Sequence, residues 1–256
     1  MRYKNVCKFC GKEKKLIKAH IIPRKFYLDY KDEQYMSVNK LSGKFQIQQS
    51  GAYDKNILCE DCDGKILGKF DQEGYRVLFD EIYKHKLNQL NHDSMYYITS
   101  EYYNYEYLRN FFISILWRAS VSSLPEFRDI NLGIYQGKAL EILQGKEKYE
   151  KLFKIFIFKY PKDKDFNKIL FISKGKFYNR KAFIISLGGY FVTIILNGRN
   201  LIFNKQLFPI TEMFINNNAF YIVESNELYL RHYYLANKNI REMWEKGFKP
   251  PFAQKK

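Results

Sequence analysis

All four cysteines of the chain fall in two Cys-x-x-Cys pairs, Cys7 and Cys10 in CKFCGK and Cys59 and Cys62 in CEDCDG. Thiolates at i and i+3 on a tight turn can both reach one ion. Two such turns complete a tetrahedral four-sulfur Zn2+ site with no open position for substrate, so the predicted zinc is structural. Two disulfides are the rival reading. The N-terminal MRYKNVCKF lacks the apolar run of a signal peptide, and a chain of 256 residues can bury enough apolar surface without such staples. The gap between the pairs is too long for a simple zinc ribbon and calls for a folded insert.

The longest apolar stretches, YLRNFFISILWRASVSSL and RKAFIISLGGYFVTIIL, are broken by arginine and by Gly-Gly. They read as a core helix and a core hairpin, which predicts a soluble, cytoplasmic protein with no membrane segment. Lys and Arg number 43 against 27 Asp and Glu, a formal net charge of +16. Such a surplus favours a polyanionic partner through counterion release, although a lysine-rich solubilising surface gives the same figure.

The texture of the chain changes near residue 92, and two parts are expected, 1–92 and 93–256. In the first, the β-prone FQIQQSGAYDKNIL precedes a long helix from about Asp63 into KHKLNQL, with Ile66, Phe70, Val77, Leu78 and Ile82 at helical spacing. Gly64, Gly68 and Gly74 weaken that helix and let its first turns approach the cysteine loop. In the second, MYYITS reads as a strand, EYYNYEYLRNFFISILWRASVSS as a buried helix ended before Pro125, and GKALEILQGKEK as a shorter helix. LFKIFIFKY, KILFIS, AFIISL, YFVTIIL, NLIFN and AFYIVES then read as strands, and NIREMWEKGF as a terminal helix. The predicted class is α+β: a zinc-stabilised first part, then a module of a helix pair and an antiparallel sheet.

Between the cysteine pairs, AHIIP carries His20, and the Asn-Ile-Leu-Cys run carries Asn56. Over residues 7 to about 71 this arrangement resembles the zinc-knuckle branch of the HNH, or ββα-metal, endonuclease family. The resemblance implies a hairpin that presents His20 as general base, Asn56 orienting it, and Asp63 opening a helix as ligand to a catalytic Mg2+ or Mn2+. Asp71, about two turns on and nearly on the same helical face, is a candidate second acidic contact. The lysines Lys14, Lys15 and Lys18, with Arg24 and Lys25 beyond the histidine, form the expected phosphate-gripping surface. The implied substrate is nucleic acid, with DNA favoured over RNA because it is the commoner substrate of that family. Small proteins of this kind also resemble effectors of bacterial defence against phage, where a sensor or ATPase partner controls the nuclease.

One departure weighs against activity: Ala19 stands where many members carry an acidic metal ligand. A catalytically inactive subunit that binds nucleic acid or a partner protein through the same zinc fold is therefore the alternative. Each residue also has a plain structural reading. His20 can pack under its hairpin, Asn56 can end a turn, Asp63 can cap a helix, and Asp71 can be solvated. His85, His92 and His232 have no metal-ligand spacing, and the tyrosines at 96, 97, 102, 103, 105 and 107 build a core more readily than a base-stacking platform.

Overall fold

A computed structural model describes residues 5–27, 36–39, 44–47, 51–80, 88–89, 95–149, 152–159, 170–177, 180–187, 189–197 and 219–224. Among these it is α+β, with three α-helices, one large sheet and two small ones.

The first cysteine pair sits in a knuckle closed by its own backbone. The N–H of Cys7 donates to Lys12 O at 3.0 Å, that of Gly11 to Cys7 O at 2.8 Å, and Gly11 has φ +69°. A side chain is strained at that φ, which is why glycine follows the pair. Two further bonds, from Lys8 N to Ile57 O at 2.8 Å and from Ile17 N to Leu58 O at 3.0 Å, lay the knuckle against the segment leading into the second pair.

Strand β1 (Ala19–His20) pairs antiparallel with β4 (Tyr53–Asp54), in the register Ala19 opposite Asp54 and His20 opposite Tyr53. The insert between them contributes a hairpin of β2 (Met36–Asn39) and β3 (Lys44–Ile47). After β4 the chain enters a π-wound segment, Asp61–Leu67, which continues as α1 (Gly68–Phe79). Wider winding suits a stretch in which Cys62 must face the other thiols while Leu67 goes to the core. The long helix expected from about Asp63 is thus π-wound first and ends at Phe79; Asn88–Gln89, expected at its far end, is strand β5.

Helix α2 (Tyr105–Val121) is apolar on nearly every side, and each residue from Leu108 to Ala119 is buried. A helix of that kind belongs at the centre of a fold. Its N-terminus is capped by the Asn104 side chain, which accepts from Tyr107 N at 2.9 Å. The first part of the chain wraps around it. The Phe26 and Phe111 rings stack at 5.4 Å, Phe9 meets Trp117 edge-on at 5.7 Å, and Gln144, just past α3 (Tyr135–Leu143), donates to Phe9 O. Helix α1 crosses α2 at Gly74, where a Cβ would lie 2.2 Å from the Phe111 ring. Glu73 on α1, buried, accepts from Asn104 N at 2.7 Å and from Arg76. One apolar core therefore runs without a break from Cys7 to Leu196.

The large sheet has the order β5-β6-β11-β7-β10-β9-β8. Its other strands are β6 (Met95–Thr99), β7 (Phe153–Lys159), β8 (Phe171–Phe177), β9 (Arg180–Leu187), β10 (Tyr190–Leu196) and β11 (Ala219–Glu224). All pairings are antiparallel except β11 with β7. One face, with Ile155, Phe183, Ile185, Val192 and Ile194, joins the central core. Phe156, Ile184 and Ile195 on the other face are buried too, which accounts for continuous apolar runs instead of alternation. The expected strands at MYYITS, LFKIFIFKY, AFIISL, YFVTIIL and AFYIVES match β6, β7, β9, β10 and β11, and KILFIS overlaps the start of β8. NLIFN and NIREMWEKGF lie outside the described residues.

Candidate functional site

The four cysteines meet. Their Sγ atoms all lie within 4.8 Å of one another, no disulfide joins them, and Cys7, Cys59 and Cys62 are buried with Cys10 half-buried. A tetrahedral ion with Zn–S bonds of about 2.3 Å spaces its sulfurs about 3.8 Å apart, so the cluster could hold a metal such as zinc. Its electrostatics are uneven. Burial pushes the Cys7 thiol up, but backbone N–H groups of Cys10, Cys59 and Phe9 outweigh it and hold the group at about 7; Cys59 N reaches Cys7 Sγ at 3.4 Å. Burial drives Cys62 well above the ordinary thiol range, and the neighbouring sulfurs push it further up. An ion would resolve that conflict by taking all four as thiolates.

A second set of polar groups gathers where β1, the π-wound segment, α1 and α2 meet. His20 ends β1, with Nε2 buried and its ring 5.9 Å from that of Tyr53. Asp63 follows the last cysteine. Burial raises its carboxyl above the ordinary value, while the charges of Arg118 and His20 pull the other way, which brings imidazole and carboxyl within electrostatic reach. Asp71, in the first turn of α1, accepts from Arg118 Nη2 at 2.7 Å. Burial again raises it, to about 6; Arg118 opposes the rise and Asp63 adds to it. The sequence does bring His20, Asp63 and Asp71 into one neighbourhood. The cysteine cluster is nonetheless the one group of three or more His, Cys, Asp or Glu ligands, among the described residues, close enough together to hold an ion.

Asn56 lies in the turn after β4 with its side chain exposed, and its N–H donates to Asp54 Oδ1 at 2.8 Å. Ala19 is buried, with Asp54 across the strand pair. Of the basic residues, Lys14 is bound to Asp61 at 2.9 Å, and Asp61 also takes Lys65 at 2.6 Å. Lys18 lies over the Tyr53 ring at 5.3 Å and Lys25 over Tyr75 at 3.6 Å, while Lys15 and Arg24 are exposed. Tyr103 is buried, Tyr102 and Tyr105 pack on the core, and Tyr107 meets Phe70 edge-on at 5.4 Å. His85, His92 and His232 lie outside the described residues.

Arg118 and Asp54 went unread as site residues. Arg118, 1 % exposed, also directs Nη1 at the carbonyls of His20 and Ile21, each at 3.5 Å. Asp54, 2 % exposed, accepts on Oδ2 from Ser123 N at 2.7 Å and from the Ser122 and Ser123 hydroxyls at 2.9 Å each. Among the described residues, no helix is long and apolar enough to cross a membrane. No protein-family model, no curated protein and no solved structure matches this chain.

Proposed function

We propose that the chain is a metal-dependent endonuclease of the HNH type, with a structural zinc on Cys7, Cys10, Cys59 and Cys62. One observation carries the reading: a strand pair ending in His20 and the helical segment Asp61–Leu67, which carries both Cys62 of the four-cysteine cluster and Asp63, come close enough for Asp63 to feel the charge of His20. In this reading residues 1–92 carry the chemistry and 93–256 serve recognition or a partner. In it His20 takes a proton from the attacking water as general base. Asp63 would hold Mg2+ or Mn2+, which supplies charge neutralisation at the scissile phosphate when bound. The exposed Lys15, Lys18 and Arg24 grip the backbone of nucleic acid, DNA before RNA. A role as cytoplasmic defence effector under a sensor or ATPase partner is the setting this activity suits.

The second reading, an inactive binding subunit, draws on two observations. Ala19 supplies no ligand, and Asp71 is engaged by Arg118. Cleavage of labelled duplex DNA with Mg2+ or Mn2+ separates the two. His20→Ala and Asp63→Ala should each cut the rate by about a hundredfold or more with binding retained, since a general base contributes about that much. Equal cleavage by wild type and both variants would remove this site from the mechanism, and binding without any cleavage would establish the second reading.

A further inference from the structure

Arg118 comes from the part of the chain beyond the zinc segment, yet it closes the site. It is buried, and a guanidinium stays charged there and presents a rigid fork that can engage two points at once. One tine makes the short bond to Asp71 Oδ2 at 2.7 Å. The other faces the carbonyls of His20 and Ile21 at 3.5 Å, long for an N–H···O bond but well placed for the attraction of a buried cation to two carbonyl dipoles. One side chain thus spans the end of β1, which carries His20, and the first turn of α1, which continues the π-wound segment that carries Asp63. It also stands between two carboxyls, since Asp71 feels the charge of Asp63, and Asp71 Oδ1 is buried with no hydrogen bond. The same end of α2 fixes the opposite strand, because Ser122 and Ser123 donate to Asp54, which lies across from Ala19.

We propose that Arg118 is the positioning residue of this site: anchored on Asp71, its guanidinium holds the His20–Ile21 backbone and so sets the imidazole in place relative to Asp63. The proposal deepens the nuclease reading and rests on it for the kinetic arm of the test alone. Arg118→Lys keeps the charge and loses the fork. Arg118→Gln combined with Asp71→Asn removes both charges, so that neither is left buried alone, and Asp71→Asn by itself is the reference for the double variant.

Two readouts are taken: kcat and KM for Mn2+-dependent cleavage of duplex DNA, and the His20 imidazole 13Cε1–1H resonance, assigned by its loss in His20→Ala. With the fold intact by circular dichroism, Arg118→Lys should lower kcat about ten- to a hundredfold, with KM within about twofold, and displace the His20 resonance. The double variant should lose no more than Asp71→Asn alone, as residues acting as one unit do. A folded Arg118→Lys or double variant with an unmoved His20 resonance would overturn the proposal and leave Arg118 a packing charge. Should no chain cleave, wild type included, the nuclease reading fails by itself. The resonance still decides for or against positioning.

Discussion

Replacing Asp54 by Asn asks whether one buried carboxylate holds the strand pair that carries His20. Its two oxygens accept four bonds: Oδ1 from Asn56 N at 2.8 Å, and Oδ2 from Ser123 N at 2.7 Å and two serine hydroxyls at 2.9 Å. A carboxylate accepts all of them. An amide cannot, because its NH2 must face either the Asn56 N–H or the Ser123 N–H, whichever way it is flipped. Leaving one backbone N–H without a partner costs about 1–3 kcal/mol, and the remaining bonds lose the charge assistance that roughly doubles their strength. The expected loss is about 3 kcal/mol, a large share of the 5–15 kcal/mol typical of a domain. Its pH dependence has a definite sign. Burial pushes the Asp54 carboxyl up, but the bonds from Ser123, Asn56 and Ser122 outweigh it and hold the group below its ordinary 3.8. A folded-state value below the unfolded one adds stability that is present above about pH 4 and is lost as pH falls through the folded value. Urea titrations of wild type and Asp54→Asn, followed by tryptophan fluorescence, should show the gap of about 3 kcal/mol at pH 7 narrowing below pH 4. Any acid lability of the cysteine cluster is common to both proteins and cancels in the gap. A difference under about 1 kcal/mol at pH 7, or one that does not narrow in acid, would refute the reasoning.

The purified protein should contain about one zinc per chain, and Cys59→Ser should leave the N-terminal segment unfolded or the protein insoluble, because a structural site is worth on the order of 10 kcal/mol. Elemental analysis that finds no zinc in well-folded wild-type protein would sink this. Affinity for duplex DNA should fall log-linearly with salt, and charge reversal at Lys14, Lys15 and Lys18 should flatten the slope by about one unit per lost phosphate contact. Lys14 is tied to Asp61, so its reversal is expected to change the slope least of the three. A salt-independent affinity unaffected by the triple reversal would favour a partner held by apolar contacts.

The cysteine cluster was legible because its chemistry is local: two i, i+3 pairs need only a turn each, and only their meeting is a tertiary fact. The strands β6, β7, β9, β10 and β11 were legible for a similar reason, as β-branched and aromatic runs bounded by turn residues. Sheet order was not, since the parallel pairing of β11 with β7 leaves no mark in either strand. The winding of Asp61–Leu67 was hidden as well. The glycines there signalled a weak helix but not which way it would be deformed, and the demand came from Cys62 having to reach sulfurs more than fifty residues away in sequence.

Arg118 shows where sequence reading could have gone further. Set within ISILWRASV, it served as an argument against a membrane span, although a charge on a helix apolar all round is also a buried charge and must be matched by another. That much follows from the helix alone. Its partner does not, because Asp71 lies 47 residues away and meets it only through the crossing of α1 on α2. The crossing is close because residue 74 has no Cβ to strike the Phe111 ring. A glycine read as a defect of helix propensity is therefore also what allows α1 to settle on α2, and with it the pairing of Asp71 with Arg118.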